Sequence, residues 1–497
     1  MEVQFTDSTL SAQRTVLWET GHSEQTQEIR LSDGMPDVKQ VISCWGQSIL
    51  RSKEWNSSFV GCSAGMMVWV LYAPEDGSEP RTVNVWIPFQ LKWELPEGTP
   101  EGNLRIQCLT RFADARSVSP RKILVRAGLS AQVQACVLEK TEVYHTEQSG
   151  SGVELLTRKY PLRLRKEMGE KTFNIDEELM LPESAPALKE MVYCAMDLKT
   201  QETKVVSDKL VFRGNGNLHI LYRSQEGQLY SWDFTVPVSQ FALLDHSYGA
   251  DAQGDIWFSL TNLEAEVENG KISLKAALVG QYTITDREMV EVTADAYSLN
   301  WSLEQGRETV TVPVLLDQKR EMLYPEQTAS MDANVVVEVH FLPDFPQIRR
   351  EENGVSLAWP GSFQLLCYGT DGSLRGAVVR WEGQQRMNLS ENVKLYPMPG
   401  LAEPRAMLGD GTVTVSADYP VELEAAAEQA ISMVTSIKTG KAESKDSSRP
   451  SLILCRAGAR SLWELAKENG STVDAIRRAN RISEEPMGEQ MLLIPVL

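Results

Sequence analysis

Residues 71–88 read LYAPEDGSEPRTVNVWIP, which is two apolar segments on either side of a turn. Leu71-Tyr72 ends the first segment, Pro74-Glu-Asp-Gly77 forms the turn, and Val83-Asn-Val-Trp-Ile-Pro88 is the second segment. Glycine accepts the positive φ that a tight turn demands, and Val, Ile, Trp and Tyr fit pleated strands. The stretch therefore predicts a β-hairpin.

The same pattern returns 150 residues further along the chain. There Leu221-Tyr222 precedes the turn Ser224-Gln-Glu-Gly227 and the apolar segment Trp232-Asp-Phe-Thr-Val-Pro237. Other positions share this offset: Pro36 and Pro186, Cys44 and Cys194, Tyr72 and Tyr222. A constant offset over so long a stretch indicates an internal repeat of one structural unit.

A third copy of the hairpin pattern is weaker. Leu366-Cys-Tyr368 precedes Gly369-Thr-Asp-Gly372 and Ala377-Val-Val-Arg-Trp381, and we place Tyr368 at the repeat position of Tyr72 and Tyr222. Each copy closes with an alternating segment, at 122–129, 271–278 and 412–417. Alternation with a period of two puts one face of a strand in a core and the other in water. We therefore expect a mainly β protein with three tandem, sandwich-like repeats.

One segment gives conflicting signals. Residues 422–431 read ELEAAAEQAI, which favours a helix by intrinsic propensity. Their repeat counterparts, Gln132-Val-Gln-Ala-Cys136 and Gln281-Tyr-Thr-Ile-Thr285, favour strands. Because the repeat is the stronger signal, we predict a strand here.

Length and charge limit the classes of protein. A chain of 497 residues exceeds the roughly 250–300 at which a single core stops growing, so several domains are expected. The net charge of −19 repels phosphate backbones, so we expect no nucleic-acid partner. The start, Met1-Glu-Val-Gln-Phe-Thr-Asp7, has no basic segment before an apolar one, and no run of about 18 apolar residues occurs. We expect neither secretion nor membrane spanning.

The seven cysteines form no C-x-x-C pair and mostly lie in apolar stretches. An odd, sparse set of this kind is typical of free thiols in a reducing compartment. We expect them to be buried and unpaired.

The composition changes near the end of the chain. Residues 438–449 contain no apolar residue larger than alanine, which indicates a flexible linker. Beyond it, Ser461-Leu-Trp-Glu464 has the spacing of a capping box, and Thr472 can cap a second helix. Apolar segments at 451–455 and 491–495 flank the two helices, so residues 450–497 predict a small βααβ domain.

This C-terminal unit resembles a LysM domain. The resemblance rests on Ser461-Leu-Trp-Glu-Leu-Ala466, Asn480 and Gly488-Glu-Gln-Met-Leu-Leu-Ile-Pro495. It departs from the family at Gly458-Ala-Arg-Ser461, where the family's Gly-Asp-Thr loses its Asp and gains one residue. That departure weakens the sugar-binding role which the resemblance would otherwise imply.

The upstream copies resemble SPOCS domains of spore coat proteins, through the Leu-x-x-x-x-Pro segments, the Leu-Tyr hairpins and Ile87-Pro-Phe89. Three such modules followed by a LysM domain are similar to the SipL-like family of spore coat morphogenetic proteins. The predicted divisions are 1–150, 151–305 and 306–437 for the three modules, 438–449 for the linker and 450–497 for the LysM domain.

The resemblance implies a non-enzymatic scaffold for spore coat assembly. In that family the LysM domain is implicated in binding the stage IV sporulation protein A ATPase, on the forespore surface facing the mother-cell cytoplasm. Other coat proteins are further expected partners. We assign partner binding to five residues of the LysM unit: Trp463, Arg477, Arg478, Asn480 and Arg481. Arg and Trp are favoured interface residues. The resemblance nevertheless implies that position 463 is more often part of the core of a LysM fold, and the arginines are as typical of a solvated surface as of an interface.

Catalysis finds little support in the sequence. The five histidines show no H-x-x-x-H or H-x-H spacing, and no P-loop motif occurs. We expect no catalytic residue, metal or cofactor. Two alternatives stay open: a protein that binds peptidoglycan or another glycan at the cortex or cell wall, and a hydrolase whose carboxylates meet only in the fold.

Overall fold

The computed structural model describes residues 3–147, 152–268, 270–352, 354–442, 450–485 and 488–497. Long antiparallel strands make up most of this chain, as the alternating apolar pattern predicts, and only two short helices occur in the described part. The mainly β class is therefore confirmed.

The first set of strands forms two antiparallel sheets that enclose an apolar core. The sheets have the orders β1-β6-β5 and β2-β3-β4. Their strands are β1 (Thr6–Arg30), β2 (Val38–Trp55), β3 (Phe59–Pro74), β4 (Arg81–Glu94), β5 (Asn103–Ser119) and β6 (Lys122–His145). The predicted hairpin of residues 71–88 is the β3–β4 pair.

The second set repeats this layout with fewer, longer strands. One sheet has the order β10-β11-β7 and the other pairs β8 with β9. The strands are β7 (Val153–Leu179), β8 (Leu188–Ser224), β9 (Leu229–Tyr248), β10 (Gln253–Glu268) and β11 (Lys271–Ser298). The predicted second hairpin is the β8–β9 pair.

The third set contains nine strands. β12 pairs with β20, which also pairs with β13, β18 and β19, and β16 pairs with β14, β15 and β17. The strands are β12 (Trp301–Leu323), β13 (Glu326–Ser330), β14 (Val335–Pro343), β15 (Gln347–Glu351), β16 (Gly354–Tyr368), β17 (Leu374–Met387), β18 (Lys394–Pro399), β19 (Glu403–Gly409) and β20 (Thr412–Ala442). Residues 422–431 lie in β20, paired with β12, so the strand prediction for this segment is confirmed.

Two predicted boundaries fall inside strands. The division between 305 and 306 lies within β12, and the division between 437 and 438 lies within β20, where Trp301 pairs with Ala442. Residues 438–442 of the predicted linker are therefore strand, because pairing with β12 gives their polar backbone regular hydrogen-bond partners. Residues 443–449 of that linker lie outside the described residues.

Backbone irregularities recur at regular intervals in the three sets. A register shift leaves one extra residue in β1, β7 and β12, namely Val16, Lys166 and Leu316. The hairpin turns place Gly77, Gly227 and Gly372 at φ values of 74°, 90° and 76°. A bulge bends its strand, and a positive φ is a conformation that favours glycine. The three sets therefore share the same bend and the same kind of hairpin turn.

The position of Tyr368 corrects the sequence alignment. Tyr72 and Tyr222 are fully buried in the cores of their own sets. In the third set that place belongs to Cys367, which lies 145 residues after Tyr222, the same distance that separates Gly227 from Gly372. Tyr368 is one residue further on and points the other way, because adjacent strand residues face opposite sides of a sheet.

The three sets meet around two shared apolar clusters. One joins the long strands and contains Leu10, Ala12, Val143, Leu162, Leu164, Val290, Val292, Val312, Val314, Ile431 and Met433. The other, which we call the hairpin cluster, contains Trp45, Leu71, Val192, Tyr193, Leu221, Leu229, Val337 and Leu366. Each set contributes to both clusters, so buried apolar surface fixes the sets against one another.

The C-terminal unit has the element order β21 (Leu452–Gly458), α1 (Leu462–Asn469), α2 (Val473–Asn480) and β22 (Gly488–Pro495). Ser461 and Glu464 form the predicted capping box, and the Thr472 side chain accepts a hydrogen bond from the Ala475 amide. β21 and β22 pair antiparallel. Within the described residues, neither helix has the length or apolar character needed to cross a membrane.

Candidate partner-binding site in the C-terminal unit

One face of the C-terminal unit is attached to the second set of strands. The Trp463 indole Nε1 donates a 2.9 Å hydrogen bond to Asp295 Oδ2 on β11, and Lys467 Nζ lies 2.7 Å from the same oxygen. The rings of Trp463 and Tyr297 are 4.8 Å apart, and the Tyr297 hydroxyl donates to the Ser471 carbonyl at 2.9 Å. Helix α1 is therefore anchored to the end of β11.

Asp295 is the charged centre of this attachment. Burial raises the pKa of Asp295, but hydrogen bonds from Lys467 and Trp463, with a further one from Arg307, outweigh burial and hold it below its ordinary value. The carboxylate is therefore ionised at neutral pH, and the attachment depends on that charge.

The structure places Trp463 in this intramolecular contact. Its side chain is buried, and its only polar atom is bonded to Asp295. This position conflicts with the prediction that Trp463 itself contacts a partner, because a partner would first have to displace the second set. Helix periodicity turns this residue toward the core, as the resemblance also implies.

Asn480 also has an internal role. Its side-chain Nδ2 donates to the carbonyls of Ile476 and Leu493, and its Oδ1 accepts from the Leu493 amide at 2.7 Å. These bonds fasten helix α2 to β22. Both amide hydrogens of Asn480 are thereby bonded within the unit, which gives the residue a structural role. Its role in partner binding stays a prediction.

The predicted arginines differ from one another in exposure. Arg478 and Arg481 are exposed, and Arg477 is half-buried. Among the described residues no ion pair forms to Arg478 or Arg481, and Arg481 ends α2 at a φ of 56°. These two side chains give the end of α2 a free positive charge.

An apolar strip, which the sequence did not predict, lies on the outer face of the β21–β22 ribbon. Alternate residues of both strands point away from the helices, and four of them are large and apolar. Their exposed fractions are 50 % for Leu452, 62 % for Leu454, 49 % for Met491 and 38 % for Leu493. Leu454 pairs directly with Leu493, so the strip is continuous. Because Ile453, Leu492 and Ile494 on the other face are also apolar, the sequence alone could not show which residues are exposed.

A carboxylate closes the space between two loops of the unit. The Leu462 amide, at the start of α1, donates a 2.8 Å hydrogen bond to Glu485 Oε2 in the loop after α2. The altered loop at Gly458-Ala-Arg-Ser461 lies beside this contact, where Arg460 pairs with Glu468 at 3.0 Å. An amide donor at the helix start is thereby occupied by the protein itself.

Comparison with known family models gives a match within the second set of strands. Residues 188–277 match the family model described as SipL, SPOCS domain. The match supports a SipL-like, sporulation-related protein. It runs from the start of β8 into β11 and includes the β8–β9 hairpin. No curated protein and no solved structure matches the chain.

Proposed function

We propose that this chain is a non-enzymatic scaffold of spore coat assembly, with three SPOCS-like β modules and a LysM-like C-terminal unit. In this proposal the C-terminal unit docks onto the stage IV sporulation protein A ATPase at the forespore surface, in the mother-cell cytoplasm. The β modules then present further surfaces to other coat proteins. The apolar strip on β21 and β22 is the observation that carries the proposal.

The strip has the properties of a protein-binding surface. Four large apolar side chains lie together in water on a two-stranded ribbon, whereas scattered single apolar residues are normal on a surface. The opposite face of the unit is attached to β11 through Asp295, so the strip points away from the body. A fixed, outward-facing apolar surface is suited to docking a partner protein.

Charge supports the same orientation. Arg478 and Arg481 lie exposed at the end of α2, while the chain as a whole carries a net charge of −19. Residues 450–497 carry equal numbers of acidic and basic residues, so this end repels an acidic partner less than the rest of the chain does. Arginines beside an apolar centre fit the common arrangement of a polar rim around a buried patch.

The non-enzymatic assignment rests on the shared packing of the three sets. The long strands and hairpins place apolar residues from all three sets in two shared clusters, so these parts of the modules serve packing. Several linked modules increase avidity for a multi-component coat without requiring new contacts. The peptidoglycan-binding alternative is disfavoured by the Glu485 carboxylate that closes the loop region.

The test uses the full chain immobilised on a biosensor and the purified ATPase in solution. Leu454→Glu should weaken binding at least tenfold, since a charge in a buried interface centre removes a hot spot. Leu243→Glu is the matched control, because Leu243 is equally exposed but lies on β9 of the second set. Thermal unfolding of both variants should resemble that of the wild type.

Two results would contradict the proposal. Unchanged ATPase binding by Leu454→Glu would remove the strip from the interface. Saturable binding of soluble peptidoglycan fragments by the full chain, with no binding of the ATPase, would favour the alternative.

A further inference from the structure

Two strands from different sets bring two histidines and one glutamate together. His219 lies on β8 of the second set, and Glu338 and His340 lie two residues apart on β14 of the third set. Residues two apart in a strand share a face, so both third-set side chains point toward His219. The Glu338 side chain is completely buried.

The donor atoms of these side chains converge. His219 Nε2 lies 2.8 Å from Glu338 Oε1, and His340 Nε2 lies 2.5 Å from Glu338 Oε2. One donor atom from each residue fits within a group whose members are all within 4.8 Å of one another. Two imidazole nitrogens and one carboxylate oxygen are a common set of protein ligands for Zn²⁺.

A second carboxylate holds His219 in the orientation of a ligand. The Asp233 Oδ1 atom lies 2.6 Å from His219 Nδ1, on the opposite side of the ring from Glu338. Metal-binding histidines almost always donate their second nitrogen to such a carboxylate or carbonyl, which fixes the tautomer and the ring. Asp233 therefore occupies the position of an outer-shell partner.

His340 brings a second imidazole nitrogen to the same carboxylate. Its Nε2 atom lies 2.5 Å from Glu338 Oε2, while His219 Nε2 lies 2.8 Å from Glu338 Oε1, so both histidines face one buried carboxylate. His219 and His340 also line a cleft of about 470 Å³, which leaves room for a further ligand.

We propose that His219, Glu338 and His340 bind a divalent transition-metal ion of the Zn²⁺ class, with its fourth coordination position open to the cleft. Ligand atoms around such an ion lie roughly 3.3 Å apart, given metal–ligand distances of about 2.0–2.1 Å. The present contacts of 2.8 and 2.5 Å must therefore widen by about 0.5 and 0.8 Å, which side-chain rotation supplies. The ion would join the second set to the third.

Cobalt titration of the EDTA-treated full chain tests this site. One equivalent of Co²⁺ should bind with the intense visible bands of tetrahedral coordination, and Zn²⁺ should displace it. His219→Gln and His340→Gln should each abolish these bands. His246→Gln is the matched control, since His246 is exposed on β9 and should leave the spectrum unchanged.

A further variant keeps the test decisive if a ligand substitution prevents folding. Asp233→Asn leaves all three ligands in place and should weaken metal binding by about 10- to 100-fold. Binding that survives in His219→Gln and His340→Gln, or no stoichiometric binding by the wild type, would show that the cluster is only an ion-pair network. Loss of binding in His246→Gln would place the metal elsewhere.

Discussion

Equivalent residues form two of the contacts between sets, but their side chains differ. They are aromatic where the first set meets the second and charged where the second set meets the third. Trp69 of the first set packs edge-on against Tyr193 of the second, with ring centres 5.1 Å apart. His219, 150 residues after Trp69, faces Glu338, 145 residues after Tyr193. The same spacings separate the hairpin glycines, with 150 residues from Gly77 to Gly227 and 145 from Gly227 to Gly372. One backbone arrangement therefore holds an aromatic pair at one junction and a buried charged cluster at the other.

The junction between the third and first sets is different again. Gln364, 145 residues after His219, donates a long hydrogen bond of 3.4 Å to the Cys44 carbonyl. Trp69, His219 and Gln364 thus place three different side chains at one repeat position. The comparison indicates that the apolar clusters fix the sets, which leaves each junction free to acquire a separate role.

The aromatic junction should show the largest loss of stability. Trp45 is 2 % exposed in the hairpin cluster and stacks on Tyr193 at 5.4 Å. Trp45→Ala should lower the free energy of unfolding by about 3–5 kcal/mol, because it removes a large buried side chain and leaves a cavity. Urea unfolding measures this change. A loss below 1 kcal/mol would show that the stacking of Trp45 on Tyr193 is not central to the junction.

A substitution in the charged junction between the second and third sets should cost less stability than Trp45→Ala when no metal is bound. Glu338→Gln in EDTA keeps the shape but removes the charge that both histidines face, and should lower the free energy of unfolding by about 2 kcal/mol. A double-mutant cycle with His219→Gln isolates the pair. Additive effects in that cycle would mean that His219 and Glu338 do not stabilise each other.

The attachment of the C-terminal unit is a second polar contact, and it should depend on pH. Asp295→Asn should weaken the protection of α1 from hydrogen exchange by about 1–2 kcal/mol at neutral pH, since a charge-assisted bond to Lys467 is lost. Because the pKa of Asp295 is lowered by folding, its contribution is present above the ordinary value of 3.8 and disappears as pH falls through the lower folded value.

Measuring the protection of α1 at several pH values tests whether the Asp295 contact depends on an ionised carboxylate. The difference in α1 protection between wild type and Asp295→Asn should be constant from pH 7 to about pH 5 and should shrink below pH 4. A difference that grows on acidification would have the wrong sign for an ionised Asp295.

The junction between the third and first sets, which contains the Gln364 amide, should show the smallest loss of stability. Gln364→Met keeps the length of the side chain and removes only the long hydrogen bond to Cys44. We expect a loss of about 0.5 kcal/mol or less in the free energy of unfolding. A loss comparable to that of Trp45→Ala would mean that the amide junction stabilises the protein as much as the aromatic one. It would contradict the expected order of the three junctions.

The sequence predicted the parts of the fold that depend on local patterns. The hairpins around Gly77 and Gly227 follow from turn chemistry, and the strand at 422–431 follows from the repeat. The seven cysteines are free, and five of them are buried, as expected for this composition. Tyr368 was misplaced by one residue because a pattern match does not fix which way a strand side chain points.

The candidate sites were harder to predict, for physical reasons. His219 and Glu338 are 119 residues apart and meet only because two sets pack together, so spacing rules could not find them. The strip around Leu454 was hidden because both faces of its strand are apolar. Trp463 carried a recognisable motif, but its contact with Asp295 depends on a different set of strands.

Docking of the outer face of the β21–β22 ribbon at the forespore, as proposed, is tested most directly by the position of a fluorescent fusion of the full chain in sporulating cells. Leu454→Glu and Leu493→Glu are combined in one variant, and Leu243→Glu is the control. We predict that the wild type and the control encircle the forespore, whereas the double variant, at equal abundance, spreads through the mother cell. A double variant that still encircles the forespore would contradict this account.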